Sequence, residues 1–466
     1  MPKNRPLLFD HVCAFSPTQR WALTAGYLLA IFVLTYVARQ ADFGWIAIGF
    51  GSGVFIYTLV IRCGDTVQLA HWIGVAIAAR ILALFAFPNL SDDVYRFLWD
   101  GYLARAGYNP FAHLPVEWLT GTRTVPAGIT QELFDRLNSP KYFTIYPPVA
   151  QWTFRTAVTI FPDSWWAAAV LMKCILVAVD IGNVLLIRRL LRRFHLADRN
   201  VLLYALHPLM IVELNGNLHH EGVMIFFLLL AIYIFSFSPK SKNRRLRSTL
   251  WGSLALALSV TSKLLTLLFF PFLIRRLGFG RALVVFAFTG TLIVLLFLPF
   301  LDAQILTNFS SSLDLYFRKF EFNASVYYVL RWIGYQTTGY NQIAVFGPWL
   351  AVFSTACILG WAALERRHDW GSLCHGLLFA ITIYLICTPT VHPWYTALPL
   401  VLCVFTTYRF PVIWCSLVWL TYANYAGGTY QEHLWIVGIE YTLVFLYFAY
   451  EWWNRRPEER PTFVPK

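Results

Sequence analysis

"WGSLALALSVTSKLLTLLFFPFLIRRLGFGRALVVFAFTGTLIVLLFLPF", residues 251–300, consists of apolar runs broken by a Thr-Ser-Lys corner and by the basic loop RRLGFGR at 275–281. A helix needs ~20 apolar residues to cross the hydrocarbon core of a bilayer, and loops rich in Lys and Arg stay in the cytoplasm. The same pattern recurs along all 466 residues, of which 58% are hydrophobic and 13% charged, with a mean hydropathy of +0.56. The sequence therefore predicts an all-α, polytopic membrane protein.

The apolar runs predict about 13 or 14 transmembrane helices, the higher number if the short run 264–274 crosses completely. Both termini are then cytoplasmic, and so are the strongly basic loops, for example RRLLRRFHLADR at 188–199 and ERRHD at 365–369. The predicted spans are 21–38, 43–62, 67–87, 164–188, 200–216, 220–237, 246–264, 264–274, 281–301, 342–363, 372–389, 394–408, 410–426 and 433–453.

This topology predicts a single transmembrane domain at 21–453, between a cytoplasmic N-terminal segment (1–20) and a cytoplasmic tail (454–466). The N-terminal segment lacks the compact apolar core and the cleavage site of a signal peptide, so the first span is expected to remain as an anchor. Two long loops, 88–163 and 302–341, are expected on the extracytoplasmic side. Nearly every polar, non-basic motif falls on that same side, as expected for a catalytic or binding face.

The segment PPVAQWTFRTAVTIF at 147–161 is apolar enough to suggest a further span. A crossing here would move every later basic loop to the outside, against the positive-inside bias. The segment is also short, opens with two prolines and carries Gln151 and Arg155. We therefore predict an interfacial or re-entrant helix, with Trp152 and Arg155 at the level of the lipid headgroups.

The net charge of +13 does not indicate nucleic-acid binding, because the basic residues cluster in short loops between apolar runs. The eight cysteines form no CxxC pair and no metal-binding spacing, and several, such as Cys174, Cys357 and Cys403, lie inside apolar runs. We expect buried thiols rather than a disulfide framework or a zinc site.

The stretch SDDVYRFLWDGYLARAGYNPF at 91–111 concentrates charge in a chain that has little of it. Asp92 and Asp93 fall at the start of a predicted helix, where the helix dipole favours negative charge. Asp93, Arg96 and Asp100 recur at helical spacing on one face. The acids either begin a surface helix and do no more, or they present a general base to a hydroxyl that arrives from water.

The turn NGNLHHEG at 215–222 joins two apolar helices and holds His219, His220 and Glu221. Imidazoles at the outer end of membrane helices can donate hydrogen bonds to a phosphate. The alternatives are capping of two helix ends, or a metal site with Glu221, for which the sequence offers no obvious third ligand.

Further polar signals lie at the same predicted level of the membrane. Lys263 ends a long apolar run, where snorkelling or contact with a lipid phosphate explains its charge equally well. Two prolines break the helix around His392, which stands beside Trp394 and Tyr395 and either lines a cavity or belongs to an aromatic belt. The aromatic stretch 319–336 predicts an amphipathic helix that suits sugar stacking, lipid contact or plain packing.

These stretches, with TIYPP at 144–148 and HPLMIVELNGNLHHEG at 207–222, occur in an order that resembles the GT-C superfamily of membrane glycosyltransferases. The chain is most similar to bacterial polyprenol-phosphate-mannose-dependent mannosyltransferases, and distantly to the first mannosyltransferase of GPI-anchor synthesis. The resemblance covers about residues 85–395. It implies a GT-C-type fold with amphipathic juxtamembrane helices in the first long loop. It also implies transfer of a sugar from a polyprenyl-phosphate donor with inversion. Mannose is favoured over glucose and arabinose as that sugar.

By this resemblance Asp93 matches the catalytic base, with Asp92 close behind, and Asp100 matches a later acid. His219 matches the histidine of the turn, although His-His-Glu replaces the commoner His-Asn-Asp and leaves the role of Glu221 open. The residues predicted to bind the donor phosphate or the substrates are Arg96, His219, His220, Glu221, Lys263, His392, Tyr146, Trp394 and Tyr395.

The chemistry of such a transfer is consistent with these residues. Inversion needs one base, here Asp93, and the phosphate that leaves needs cationic stabilisation, which Lys263, His219 and His392 can supply. No cofactor and no divalent metal are therefore expected.

The expected partners are the polyprenyl-phosphate sugar, a lipid or glycan acceptor and the lipids of the inner membrane, and no feature predicts an oligomeric state. A polysaccharide polymerase or ligase is the first alternative, but such enzymes use arginines of a large late loop, whereas the acids here come early. A transporter is the second, but its charges would lie at the bilayer midplane between inverted repeats.

Overall fold

Helices dominate the part of the chain that the structure, a computed structural model, describes. The described ranges contain no β-strand, although Phe322 and Thr390 form an isolated bridge, so the prediction of an all-α protein is confirmed. The predicted tail 454–466, apart from its first residue, and most of the N-terminal segment 1–20 lie outside the described residues. The described ranges are 14–63, 68–120, 123–237 and 241–454.

The N-terminal half contains the first long loop, flanked by long apolar helices. A π-helical segment, Ile211–Gly216, continues α10 toward the turn before α11. In chain order the helices are α1 (Pro17–Phe32), α2 (Phe43–Arg62), α3 (Leu69–Leu82), α4 (Asp93–Arg105), α5 (Pro115–Thr120), α6 (Gln131–Asp135), α7 (Pro148–Ile160), α8 (Trp165–Arg193), α9 (Leu202–Ala205), α10 (Pro208–Met210), α11 (Glu221–Ser236) and α12 (Lys242–Ser262).

The C-terminal half continues with shorter helices between long ones. The predicted amphipathic helix within 319–336 is present as α16. The helices are α13 (Phe270–Leu277), α14 (Phe279–Phe297), α15 (Ile305–Arg318), α16 (Val326–Thr338), α17 (Ile343–Leu364), α18 (Trp370–Cys387), α19 (Ala397–Cys403), α20 (Phe410–Leu417) and α21 (Leu434–Asn454).

Among the described residues seven helices are long and apolar enough to cross a membrane, namely α1, α2, α8, α14, α17, α18 and α21 with their short continuations. An eighth candidate is the pair Pro208–Gly216 and Glu221–Ser236, which is bent by 108°. Each predicted span coincides with a helix or with a run of short helices. The total of 13 or 14 crossings stays a prediction, because segments such as Leu69–Phe85 and Pro393–Cys403 are shorter than the helices that can cross by length alone.

The first long loop packs around a hydrophobic core that it shares with α8 and the start of α11. Phe97 on α4 stacks on Phe154 on α7 with ring centroids 4.5 Å apart, and Trp99 and Trp118 are buried beside them. The 13 residues of α7 extend over about 20 Å, less than the ~30 Å of hydrocarbon in a bilayer. The helix packs against α4 and α8, and the interpretation of 147–161 as a helix that does not cross stays a prediction.

The cysteines differ in part from expectation. Cys403 is buried as predicted, but Cys174 on α8 is exposed on the protein surface and Cys357 is half-buried. Cys63 is disulfide-bonded, which corrects the prediction that the cysteines are free thiols.

Candidate active site

Buried polar contacts hold the turn between the π-helical segment and α11 in place. Arg80 on α3 donates from Nε to Asp180 on α8 at 2.7 Å, and both side chains are buried. Asp180 also accepts a hydrogen bond from the Asn215 amide at 2.9 Å, and Asn183 donates to the Gly222 carbonyl at 2.9 Å. Charged groups are stable in such surroundings only when they are paired and hydrogen-bonded. The network therefore fixes the position of the turn relative to α3 and α8.

The turn itself depends on an unusual backbone conformation at Leu218. This buried residue has φ +67°, in the left-handed region that a non-glycine residue adopts rarely and at some energetic cost. As a result His219 points back toward the preceding segment. Its backbone N–H donates to the Glu213 carbonyl at 3.2 Å, and its Nδ1 lies 3.0 Å from the same oxygen.

Asp93, His219 and Glu213 form what we call the central cluster. His219 Nε2 lies 3.7 Å from Asp93 Oδ2, and Nδ1 lies 3.3 Å from Glu213 Oε2. Asp93 Oδ1 accepts a hydrogen bond from the Asn138 amide at 2.9 Å, and Glu213 Oε1 accepts one from the Tyr422 hydroxyl at 2.6 Å. The first long loop, the turn before α11 and the segment after α20 thus meet at one imidazole.

The central cluster is charged at neutral pH. Burial opposes ionisation of Asp93, but His219 and the Asn138 amide outweigh it and lower the pKa of Asp93 to about 2. Burial likewise opposes protonation of His219, but Asp93 and Glu213 outweigh it and raise the pKa of His219 to about 9. An imidazolium between two carboxylates is the result.

Four stacked rings extend from the central cluster, and we call them the ring stack. His219 lies 3.6 Å from Trp394 between ring centroids, Trp394 lies 4.5 Å from His392, and His392 lies 4.9 Å from Phe322. Burial lowers the pKa of His392 to about 3, so this ring is neutral at pH 7. The ring stack joins the HPWY motif and the second long loop to the central cluster.

Lys263 and Glu221 form an ion pair at the same end of the molecule. Glu221 is buried, whereas 28% of the Lys263 side chain is exposed, and its ammonium lies 4.6 Å from the centre of the Tyr395 ring. The sequence suggested snorkelling or a lipid-phosphate partner for Lys263. It did not suggest a carboxylate partner within the chain. The ammonium of this partly exposed side chain thus has a carboxylate and an aromatic ring as partners within the chain.

Arg96 and Asp100 lie outside the central cluster. Asp100 is fully buried and accepts hydrogen bonds from Arg96 Nε at 2.8 Å, from Gln151 Nε2 at 3.0 Å and from the Thr144 hydroxyl. These contacts tie α4 to the TIYPP motif and to α7. The oxygens of Asp100 are enclosed and already paired, so the structure places Asp100 and Arg96 in the packing of α4 and not beside His219, and their predicted roles at the substrates stay predictions.

His220 and Tyr146 also pack inside the core of the first loop. The His220 ring meets Phe97 and Phe154 edge-on at centroid distances of 5.8 and 5.3 Å, and burial lowers its pKa to about 3. Tyr146 meets the same Phe97 edge-on at 4.9 Å. Asp92, at the N-cap position of α4, is exposed beside Asp93.

The His-His-Glu sequence does not converge on a point. His219 faces Asp93, His220 faces the aromatic core of the first loop, and Glu221 faces Lys263. Within the described parts of the chain no group of three His, Cys, Asp or Glu side chains has an arrangement suited to a metal ion.

Three site residues were missed from the sequence. Glu213 could have been found, because an acid inside the apolar run IVELNG is unusual in a membrane helix. Asn138 and Tyr422 carry no local signal, since each reaches the cluster only through the tertiary fold.

The helices thus gather a carboxylate (Asp93), an imidazolium (His219) and an ammonium (Lys263) at one end of a polytopic protein. Residues 33–278, more than half of the chain, match the family model described as alpha-(1->6)-mannopyranosyltransferase, N-terminal domain. The chain belongs to this family and is a mannosyltransferase. No curated protein and no solved structure matches it.

Proposed function

We propose that the protein transfers mannose from a polyprenyl-phosphate donor to a lipid or glycan acceptor on the extracytoplasmic side of the inner membrane. The observation that carries the proposal is the ionised carboxylate of Asp93 beside the His219 imidazolium, at the start of α4. The family supports mannose as the sugar.

Asp93 acts as the general base in this proposal. Oδ1 is held by Asn138, whereas Oδ2 lies beyond hydrogen-bond distance of His219, so Oδ2 can accept the proton of an acceptor hydroxyl. The acceptor oxygen forms a bond to the anomeric carbon as the bond from that carbon to the phosphate oxygen breaks. The proton passes to Asp93, and the electron pair leaves with the polyprenyl phosphate.

Cationic groups stabilise the charge that develops on the leaving phosphate. His219 presents Nε2–H, and Lys263 contributes the ammonium of a side chain that is 28% exposed. His392, neutral at pH 7, contributes a ring face and a hydrogen-bonding nitrogen rather than a charge. An α-linked product, which the family description suggests, formed with inversion requires a β-linked donor.

The proposal is tested with purified protein in vesicles and radiolabelled polyprenyl-phosphate mannose, glucose and arabinose. We expect consumption of the mannosyl donor and formation of a mannosylated product. Consumption of another donor alone would contradict the assignment of the sugar, and use of a nucleotide sugar alone would contradict the donor class.

A further inference from the structure

Glu213 is a buried acid that the proposed chemistry has not yet used. It lies in the π-helical segment Ile211–Gly216, and such segments are rare and frequently found at functional sites. Oε1 accepts from Tyr422 at 2.6 Å, while Oε2 accepts from the Asn217 amide at 3.2 Å and lies 3.3 Å from His219 Nδ1. The carboxylate is thus surrounded by donors from three directions.

The same contacts connect Glu213 to the start of the first loop. The side-chain oxygen of Asn217, whose amide binds Glu213, accepts from the backbone N–H of Leu90 at 3.4 Å. Leu90 precedes Asp93 by three residues. Glu213 therefore lies where it can set the orientation of the imidazole and of the base together.

We infer that Glu213 is a positioning residue that keeps His219 doubly protonated, with Nδ1–H directed at Glu213 and Nε2–H directed at Asp93 and the donor phosphate. The inference rests on the proposed function. Without the carboxylate, Nδ1–H could still donate to the Glu213 carbonyl, but a neutral ring would then present Nε2 as an acceptor. An acceptor at Nε2 would repel both Asp93 and the phosphate.

The charge of His219 depends on groups from several elements. Asp93 and Glu213 favour the imidazolium, and each lies within 4 Å of a ring nitrogen. Other titratable side chains near the central cluster include Asp92, His220, His392, Tyr422 and Tyr425, and Lys263 is paired with Glu221.

The test measures the protonation of His219 directly, through deuterium exchange at imidazole Cε1 followed by mass spectrometry of the peptide. The exchange rate rises with pH and levels off above the pKa of the ring. In the wild-type protein we expect a midpoint near pH 9. In Glu213→Gln the midpoint should fall by about 1 pH unit or more, because an opposite charge beside the ring is lost.

Tyr422→Phe is the matched control, since it removes the other hydrogen bond of Glu213 and leaves the carboxylate beside His219. Its midpoint should stay at or above that of the wild type. The alkaline limb of mannosyl transfer should move together with the exchange midpoint in Glu213→Gln. If Glu213→Gln does not fold, as judged by thermal unfolding, Glu213→Asp replaces it, with a smaller downward shift expected.

An unchanged exchange midpoint in a folded Glu213 variant would overturn the inference, even if the protein transfers mannose as proposed. A lowered midpoint supports the inference whichever donor the protein consumes. Failure of the donor assay and failure of this inference are therefore distinguishable.

Discussion

At the scale of single residues, His219 is the charged group on which the electrostatics of the candidate site depend most. It lies between Asp93 and Glu213 and stacks on Trp394, so its charge is held by two carboxylates while its ring plane is fixed by an indole. The ring cannot turn away from Asp93 without losing the contact with Trp394. The orientation of the imidazole is thus set by packing, and its protonation by charge.

The stability of the protein should depend on pH through His219. The pKa of His219 is raised from 6.5 to about 9 in the folded state, so its stabilising contribution is fully present below pH 6.5 and is lost as pH rises through 9. We expect His219→Gln to lower the unfolding temperature strongly at pH 6 and much less at pH 10. Thermal unfolding of both proteins in the same detergent at the two pH values measures this difference.

Equal destabilisation of His219→Gln at pH 6 and at pH 10 would contradict a charged His219. In that case the cost of the substitution would come from lost stacking on Trp394, which does not depend on pH.

At the scale of elements, helix bounds follow closely from the sequence. The predicted spans 43–62 and 342–363 correspond to Phe43–Arg62 and Ile343–Leu364, because an uninterrupted apolar run with a charged or polar boundary defines a membrane helix locally. The prediction that 147–161 does not cross also needed the charges of distant loops, because the segment alone is apolar enough to resemble a transmembrane span.

The functional residues were less predictable than the helices. Asp93 and Asp100 are seven residues apart on one face of α4, and helical spacing together with the family resemblance gave both a place in the predicted site. The structure separates them along the helix axis by about 10 Å, so that only Asp93 reaches His219 while Asp100 faces Gln151. Contacts between elements, such as that of Tyr422 with Glu213, have no signature in a single sequence.

The packing of α4 on α7 should be sensitive to a single methyl group. A Cβ added at Gly101 would lie 2.8 Å from the Phe154 carbonyl oxygen, so the two backbones would have to separate. We expect Gly101→Ala to destabilise the protein by about 1–3 kcal/mol and to reduce transfer through displacement of Asp93. Unfolding by denaturant and the mannosyl-transfer assay measure the two effects.

Gly74→Ala on α3 is the matched control, because nothing lies within 4 Å of the added Cβ. It should leave stability unchanged or slightly increased, as alanine is the better helix former. If Gly101→Ala were as stable and active as Gly74→Ala, the close contact between α4 and α7 would not exist as described.

At the scale of the whole molecule, the central cluster and its neighbours Lys263 and His392 constrain the topology. Asp93, His219, Lys263 and His392 come from four separate parts of the chain and lie at one end of the helices. The number of crossings between any two of them must therefore be even. A spanning α7 would break this rule between Asp93 and His219.

Labelling of single cysteines tests the orientation. In a variant without the native exposed Cys174, cysteines at Ala127 and Asp163, both exposed, should react with an impermeant thiol reagent in intact cells. A cysteine at exposed Lys242 should react only after the membrane is opened. Reaction at Lys242 and protection at Ala127 and Asp163 in intact cells would place the central cluster on the cytoplasmic side and contradict the proposed orientation.

The most direct test of the account is mannosyl transfer by Asp93→Asn, measured with labelled polyprenyl-phosphate mannose in vesicles beside Asp92→Asn. The amide keeps the shape of the side chain but cannot accept the acceptor proton, so turnover by folded Asp93→Asn should fall by about 10²–10⁴-fold. Asp92→Asn, which changes the exposed neighbour, should lose far less. Near-normal turnover by Asp93→Asn would contradict its role as the base.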